Sequence, residues 1–262
     1  MLKEIKNKKF ANGIVYALQT EDGYPIEVTD TFLPAYTKDA IGRNQNALSD
    51  YKLGTRKERW MIGVSCMSGC VCRCKFCATG QLPKYRSLTA EEIVEQVEFI
   101  IQKNPDYKFG DSYENKINYT RMGEPFLNIE EIKKAIAIID KKYKNVHHYI
   151  STIGIKGSDY SWIKDNITLQ LSLHSLDEQR RRDLIPFPRL MSIDELGQIR
   201  TNSNQKTTLN MTLVSFDDFD INKLRSWFDP NCFFVKLSPI NPNPISEKNH
   251  LGDGVVKRIN LL

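Results

Sequence analysis

The sequence predicts an α/β fold, a partial (βα)6 barrel, from three observations. Apolar, β-rich segments alternate with segments of helical periodicity, as is typical of parallel βαβ units. The alternation supplies six strands, which is fewer than a closed eight-stranded barrel needs. The chain has 262 residues, 40% of them hydrophobic, and is therefore long enough to form one such barrel around a proper core.

The individual elements follow from local patterns. Strands are predicted at 60–64, 117–120, 146–151, 167–173, 208–214 and 232–237, and helices at 88–103, 129–141, 177–184, 193–201 and 221–228. The first helix has the clearest signal, because Thr89 is a good N-cap and Glu92 follows three residues later, as in a capping box. Apolar residues also recur on one face of this helix.

The barrel is expected to span residues 59–245. A small N-terminal β extension, residues 1–58, is expected to form a hairpin packed on the barrel, and residues 246–262 to form a short tail. No run approaches the ~20 apolar residues of a membrane span, so we expect a soluble, cytoplasmic protein.

The basic residues occur in clusters, although the net charge is only +5. Such clusters suit a polyanion such as RNA, but solvated helix faces produce similar runs, so charge alone favours nucleic acid only weakly. The clusters are Lys3, Lys6, Lys8 and Lys9; Lys52, Arg56, Lys57 and Arg59; and Arg180, Arg181 and Arg182.

The cysteines indicate the chemistry. Cys70, Cys74 and Cys77 have the spacing Cys-x3-Cys-x2-Cys in a loop that follows the first barrel strand. Three thiolates on one loop can hold three irons of a [4Fe–4S] cluster and leave the fourth iron open. An open iron can bind a cofactor, which is the usual basis of radical chemistry driven by S-adenosylmethionine (SAM).

Two other interpretations of the cysteines are weaker. A disulfide is disfavoured because five of the six cysteines lie within twelve residues and no signal peptide indicates an oxidising compartment. Zinc held by Cys66, Cys70, Cys74 and Cys77 is the stronger alternative. Zinc ribbons, however, usually separate their cysteine pairs by roughly 15–20 residues. With the favoured iron–sulfur interpretation Cys66 and Cys72 are spare, and Cys232 is expected to be a buried structural thiol.

Polar residues also follow the predicted strands, and the carboxyl ends of barrel strands are where functional groups meet. Glycine lets backbone approach a ligand closely, and a carboxylate can accept hydrogen bonds from an ammonium group. Gly123-Glu124 is therefore suited to hold the amino group of SAM. Hydroxyl and amide groups at the other strand ends could hold its carboxylate and ribose.

The chain resembles the RlmN/Cfr family of radical SAM RNA methyltransferases, which modify adenosine at C2 or C8. The resemblance covers residues 22–244, and its motifs occur in family order: Gly69-Cys70, Cys74-Lys75-Phe76-Cys77-Ala78-Thr79-Gly80, Met122-Gly123-Glu124-Pro125-Phe126-Leu127-Asn128, Ser151-Thr152-x-Gly154, Ser172-Leu173-His174 and Pro239-x-Asn241-Pro242-x-Pro244.

The resemblance implies a barrel of the radical SAM type, with RNA near residues 180–182 and an electron donor such as flavodoxin or ferredoxin. It implies cluster ligands at Cys70, Cys74 and Cys77, and SAM contacts at Gly123, Glu124, Ser151, Ser172, His174 and Asn241.

The chain also departs from the family pattern. Family methyltransferases use a methyl-carrying cysteine beyond the Asn-Pro motif, and this sequence has no cysteine after Cys232. They use a resolving cysteine seven residues before the first cluster cysteine, where this chain has Gly63. Arg121 and Ile153 replace a glycine and a serine beside the SAM motifs. Fewer residues precede the cluster than the family's helical RNA-binding domain needs.

The motifs for the cluster and for SAM are retained, so SAM is expected to be cleaved reductively to a 5′-deoxyadenosyl radical. The departures predict that methyl transfer does not follow the family's cysteine route. RNA or a nucleotide is the expected substrate. The alternatives are a radical SAM enzyme acting on a peptide or small metabolite, and a non-catalytic relative that binds SAM or RNA.

Overall fold

A computed structural model describes residues 1–34, 53–215 and 218–252, which form a mixed α/β fold. Lys52 and residues 253–262 of the expected tail lie outside the described residues. The contacts divide the chain into two compact units. The first unit comprises Met1–Cys66, Leu88–Arg121 and Glu130–His148, and the second comprises Met67–Ser87, Met122–Ile129 and Tyr149–Leu262.

The strands, in chain order, are β1 (Lys3–Phe10), β2 (Gly13–Gln19), β3 (Pro25–Leu33), β4 (Arg59–Val64), β5 (Met67–Ser68), β6 (Arg86–Ser87), β7 (Glu114–Tyr119), β8 (Val146–Thr152), β9 (Ile167–Ser172), β10 (Thr207–Thr212) and β11 (Phe233–Ser238). The α-helices are α1 (Ala90–Gln102), α2 (Ile129–Lys142), α3 (Glu178–Leu184), α4 (Ile193–Gly197), α5 (Ile221–Trp227) and α6 (Pro244–Lys248).

The sheet of the first unit begins with an antiparallel meander. β1, β2 and β3 pair in sequence, and β3 then pairs antiparallel with β4. The N-terminal extension therefore contains a third strand beyond the expected hairpin. β4 and β7 run parallel, with Ile62 opposite Ile117. Both side chains are completely buried, as expected for a strand pair covered by helices.

Helix α1 confirms the predicted capping box. The Thr89 hydroxyl accepts from the Glu92 N–H at 3.2 Å, and the Glu92 carboxylate accepts from the Thr89 N–H at 2.9 Å. These bonds satisfy two backbone donors that have no partner within the helix, and so define where the helix begins. The apolar face, which includes Ile93, Val97 and Ile100, is buried.

In the second unit, β10 runs parallel to β9 on one side and to β11 on the other. Residues alternate between two environments along β9 and β10. Leu171 and Leu209 are completely buried, whereas Gln170, Ser172 and Asn210 are only half-buried on the opposite face. This alternation gives the unit one apolar face and one polar face.

All six predicted strands and all five predicted helices are confirmed, with bounds that shift mostly by one to three residues. The largest difference is α4, predicted to reach residue 201 but ending at Gly197. A Cβ at this glycine would lie 2.3 Å from the Trp227 carbonyl oxygen, so close packing against α5 requires glycine where a helix prefers other residues. The described pairings form an open sheet and do not close a barrel.

Cys232 is partly exposed rather than buried, and its Sγ lies 3.8 Å from Asp229 Oδ2 just before β11. The expectation of a buried thiol is therefore wrong, because the apolar run that suggested it begins only at Phe233. Among the described residues, no helix combines the length and apolarity that crossing a membrane requires.

Candidate functional site

The cysteine loop lies between two short strands of the second unit. β5 and β6 pair antiparallel, with Met67 opposite Ser87, and so hold the ends of the loop together. Gly69 has φ +71°, and a Cβ there would lie 2.7 Å from the Lys84 carbonyl oxygen. A Cβ at Gly80 would lie 2.7 Å from Arg73 Cα. The tight loop therefore depends on glycine at both positions.

The peptide segment between Cys74 and Cys77 is held by two separate helices. The Lys75 N–H donates to the Leu184 carbonyl at the end of α3, at 2.9 Å. Asn249 Nδ2, at the C-cap of α6, donates to the Lys75 carbonyl at 2.8 Å. Asn243 Nδ2, at the N-cap of the same helix, donates to the Phe76 carbonyl at 3.0 Å. The loop conformation is thus set by contacts distant in sequence.

The three cysteines with the cluster spacing lie close together. Cys74 is buried, whereas Cys70 and Cys77 are partly exposed. Burial raises the pKa of the Cys74 thiol well above its ordinary value, and the nearby sulfurs of Cys77 and Cys70 raise this pKa further. A hydrogen bond from the buried Cys72 thiol lowers the pKa of Cys70 and raises the pKa of Cys72. Cys72 therefore supports Cys70 as a thiolate, consistent with its predicted place outside the ligand set.

The arrangement suits a cluster better than a single ion. All six cysteines are free, so no disulfide links them. Among the described residues, no three His, Cys, Asp or Glu side chains converge closely enough to hold one metal ion. Zinc needs its ligands to converge on a single atom, whereas each cysteine of a [4Fe–4S] cluster binds a different iron. Three neighbouring thiols are the donor set that such a cluster requires.

Glu124 lies beside this loop and is almost completely buried, with 3% of its surface exposed. Its Oε1 accepts from the Phe126 N–H at 3.1 Å, and its Oε2 accepts from the Ile153 N–H at 2.9 Å. Burial raises the Glu124 pKa to about 7, and the hydrogen bonds from Thr152, Ile153 and Phe126 oppose this rise. Gly123 has φ +104°, a conformation that favours glycine at the entry to this turn.

His174 contacts the cysteine loop directly. Its ring packs edge-to-face on Phe76 with 4.7 Å between centroids. Its Nδ1 accepts from the Thr212 N–H at 3.1 Å, which assigns the ring proton to Nε2. Burial lowers the His174 pKa to about 3, and the nearby Arg181 contributes to this shift, so the ring is neutral at pH 7. The Nε2–H group is thus available as a neutral donor.

The polar face of β8, β9 and β10 contains a hydrogen-bonded trio that includes one predicted SAM contact. The Ser151 hydroxyl donates to Gln170 Oε1 at 2.9 Å. Asn210 Nδ2 lies 3.2 Å from the same Gln170 oxygen and 3.3 Å from Ser151 Oγ. Asn210 Oδ1 is buried and has no hydrogen-bond partner among the described residues. Ser172, another predicted contact, lies opposite Asn210 in the strand register.

Sequence reasoning missed Gln170 and Asn210. The period-2 alternation places Gln170 on the same face of β9 as the predicted contact Ser172, and Asn210 lies opposite Ser172 on β10. That alternation was the available signal. Asn241, by contrast, is exposed, and the described hydrogen bonds link it to the cysteine loop only through Asn243, whose Nδ2 lies 3.0 Å from the Asn241 carbonyl oxygen.

Two basic clusters are not continuous basic surfaces. Arg59 is buried in a bidentate ion pair with Glu114 at 2.6 and 2.9 Å. Arg56 pairs with the buried Asp30 at 2.6 Å. Arg181 is completely buried, so it adds no charge to the surface of the third cluster. The lysines of β1 remain at the surface, mostly exposed: Lys3, Lys6, Lys8 and Lys9.

The two departures in the first unit are coupled. The departure at position 121 has a partner within this unit, because Arg121 forms an ion pair with Glu27. A Cβ at Gly63 would lie 2.3 Å from Thr29 Oγ1 and 3.1 Å from Arg121 Cδ. The space that a side chain at position 63 would need is therefore already filled.

The comparisons with known proteins agree with this site. The model of the radical SAM superfamily matches residues 64–223. A probable dual-specificity RNA methyltransferase RlmN from Pseudothermotoga lettingae is 35% identical over 191 residues, which cover 68% of this chain and 54% of that protein. A protein of the same name from Fervidobacterium nodosum is 33% identical over 197 residues, covering 70% and 55% respectively. The chain spans about half the length of these relatives.

A radical SAM methyltransferase from Sphaerobacter thermophilus has a similar solved structure. It superposes with a TM-score of 0.69 at 24% identity, over 99% of this chain and 72% of that one. This likeness confirms the predicted fold class. Since the radical SAM model matches more than half of the chain, the chain belongs to the radical SAM superfamily.

Proposed function

We propose that the chain is a radical SAM enzyme in which Cys70, Cys74 and Cys77 hold a [4Fe–4S] cluster and leave one iron for SAM. The observation that carries this proposal is the grouping of the three cysteine sulfurs with the Glu124 carboxylate in one compact unit. When bound, the cluster supplies the electron for reductive cleavage of SAM to a 5′-deoxyadenosyl radical.

The protein's own groups bind and orient SAM. The Glu124 carboxylate accepts from the SAM ammonium group, and two backbone N–H donors fix its direction. An ammonium beside this carboxylate would counter the burial that raises its pKa. Gly123 lets the backbone approach closely. The remaining polar groups are proposed to hold the SAM carboxylate and ribose: Ser151, Ser172, His174 Nε2–H and Asn241.

RNA or a nucleotide is the proposed substrate. The names of the relatives describe RNA methyltransferases. The lysines of β1 add a basic edge, because the residues opposite Lys3, Lys6, Lys8 and Lys9 on β2 are Gln19, Ala17, Val15 and Ile14, none of which is acidic. Such an edge attracts a polyanion. An external one-electron donor of the flavodoxin or ferredoxin class completes the proposal.

Methyl transfer by two cysteines is not part of the proposed reaction. Gly63 has no thiol, and Arg121 and Thr29 fill the space beside it. We expect 5′-deoxyadenosine without C2- or C8-methyladenosine when reduced protein is incubated with SAM and ribosomal RNA or tRNA. Mass spectrometry of the digested RNA tests this, and methyladenosine formed at turnover would refute it.

The cluster is tested by anaerobic reconstitution. The wild-type protein should hold about four irons and form 5′-deoxyadenosine from SAM after reduction with dithionite. Changing Cys70, Cys74 or Cys77 to Ala should abolish both, whereas Cys72→Ala and Cys232→Ala should retain iron. Zinc at full occupancy without iron would end the proposal.

A second candidate substrate class is a peptide or small metabolite. The internal ion pairs of Arg56 and Arg59 and the burial of Arg181 favour it, because they remove basic surface that RNA binding would use. RNA binding by the reconstituted protein, measured over a range of salt concentrations, separates the two classes. Affinity that falls steeply with salt supports RNA, and no measurable binding supports the small substrate. Binding of SAM without 5′-deoxyadenosine formation would instead indicate a non-catalytic relative.

A further inference from the structure

Arg181 differs from the two arginines that flank it. Its side chain is completely buried on the inner face of α3. Its guanidinium donates to the Met191 carbonyl at 2.6 Å and to the Ile153 carbonyl at 2.5 Å. Its Nε is buried without a hydrogen-bond partner among the described residues. The guanidinium is therefore held by backbone dipoles.

No carboxylate neutralises this charge directly. The carboxylate that acts most strongly on Arg181 belongs to Glu178, which forms an ion pair with Arg182 at 2.6 Å and also accepts from the Ile193 N–H at 2.9 Å. Arg180 pairs with Asp218 at 3.5 Å. Arg181 forms no ion pair within the described part of the chain. A buried charge is costly unless an opposite charge lies nearby, so a bound anion close to Arg181 would stabilise its guanidinium in this position.

The cysteine loop is where that anion would bind. α3 ends at Leu184, one turn after Arg181, and the Leu184 carbonyl accepts from the Lys75 N–H between Cys74 and Cys77. The Cys74 sulfur and the Arg181 guanidinium are near enough to influence each other electrostatically. Three thiolates with a [4Fe–4S] cluster would form an anion, and reduction would add one further negative charge to it.

We propose that Arg181, which is buried beside Cys74, is the internal counter-charge of the cluster and raises its reduction potential. In the reduction step one electron leaves a flavodoxin- or ferredoxin-type donor and enters the cluster; no proton moves and no bond forms. Attraction between unlike charges is weakly screened in a buried site, so the guanidinium stabilises the more negative, reduced state. Arg181 is a positioning residue, since it acts through the cluster, and the inference rests on the proposed function.

The test compares matched variants of the three consecutive arginines. Reconstituted proteins are titrated with dithionite and redox mediators in the absence of SAM, and the reduced cluster is followed by electron paramagnetic resonance. Arg181→Met should lower the ratio of reduced to oxidised cluster at a fixed potential at least tenfold, which is about 59 mV for one electron. Arg181→Lys, which keeps the charge, should recover most of this loss.

Arg180→Met and Arg182→Met are the controls. Each removes the same charge from the same helix, but their side chains are 40% and 38% exposed, so solvent screens them. Both should change the ratio less than twofold. SAM is omitted because Arg181 contacts Ile153, and Ile153 donates to Glu124, which is proposed to bind SAM. Without SAM, a change in SAM binding cannot alter the measured potential.

The outcomes distinguish an effect of the Arg181 charge from an effect of its packing. An unchanged potential in Arg181→Met, or equal losses in the Met and Lys variants, would overturn the inference. If Arg181→Met holds no cluster, Glu178→Gln takes its place: removing a nearby negative charge should raise the potential, and no rise would overturn the inference. A wild-type protein that binds no iron contradicts the proposed function, whereas a bound cluster of unaltered potential contradicts only the role of Arg181.

Discussion

The two compact units neutralise buried charge in different ways. In the first unit, Asp30 is completely buried and accepts from Arg56, Trp60 Nε1 and Asn104 Nδ2, so side chains satisfy it. In the second unit, backbone N–H groups hold Glu124 and backbone carbonyls hold Arg181. A charge that pairs with an opposite charge is neutralised within the fold. A charge that only neutral groups contact can still attract a ligand of opposite charge.

Replacing Asp30 is the strongest test of this contrast. Asp30→Ala should lower the free energy of unfolding by about 3–5 kcal/mol, because Arg56 loses its partner and the donors of Trp60 and Asn104 are left unsatisfied in the interior. Urea unfolding of the unloaded chain measures this loss. Asp30→Asn, which keeps an acceptor oxygen, should lose less. A loss below ~1 kcal/mol in Asp30→Ala would contradict the structural role.

Glu124 should show a different behaviour. Glu124→Gln should weaken SAM binding to the reconstituted protein by about ten- to a hundredfold, since a hydrogen bond to a charged group contributes about 1.5–3 kcal/mol. Its free energy of unfolding should fall by about 1–3 kcal/mol, less than in Asp30→Ala, because an amide leaves one of the two backbone N–H donors without an acceptor. Calorimetry with SAM tests the first part. Asn241→Ala should act in the same direction but less, and unchanged SAM affinity in both variants would place the binding site elsewhere.

The crowding at Gly63 predicts a smaller loss in the free energy of unfolding when a side chain is added there. Gly63→Cys should destabilise the chain by about 1–3 kcal/mol through overpacking against Thr29 and Arg121. Combining it with Arg121→Gly should recover part of this loss, because space opens beside the new side chain. Urea midpoints of the two single variants and the double variant measure the coupling. Strictly additive effects would show that Arg121 does not fill the space.

Protonation of His174 gives an effect that develops only at acidic pH. Burial lowers its pKa from 6.5 to about 3, so the folded chain binds fewer protons than the unfolded chain between these values. The resulting stabilisation is complete above pH 6.5 and is lost as the pH falls towards 3, by at most about 1.4 kcal/mol per pH unit. His174→Gln should flatten this part of the stability profile of the unloaded chain. An identical slope in the variant would show that His174 is not the titrating group.

Local signals predicted most of the fold and the cysteine loop. Thr89 and Glu92 are close enough in sequence to specify a helix start, and the cysteine spacing needs no tertiary information. The meander was only partly predicted, because a buried acidic residue, Asp30, interrupts the apolar series that Ile26 and Val28 begin in its third strand. The trio of Ser151, Gln170 and Asn210 depends on strand register, which a single sequence does not contain.

The arginine run shows the same limit at one residue. Adjacent identical side chains carry no difference in charge or size, so composition could not separate Arg181 from Arg180 and Arg182. The spacing of three between Arg181 and Leu184 places them on one helix face, and this was the signal that went unused. The close approach of Gly63 to Arg121 was beyond reach, because it depends on the parallel pairing of β4 and β7.

The asparagines that cap α6 have a consequence for the order of events during synthesis. Residues 70–77 leave the ribosome long before Asn243 and Asn249, whose side chains hold the carbonyls of Phe76 and Lys75. Until those asparagines emerge, the nascent loop lacks two of the bonds that set its shape. Iron delivery is therefore expected to follow completion of α6, so a chain interrupted before residue 243 should accumulate with an open, oxidation-sensitive loop.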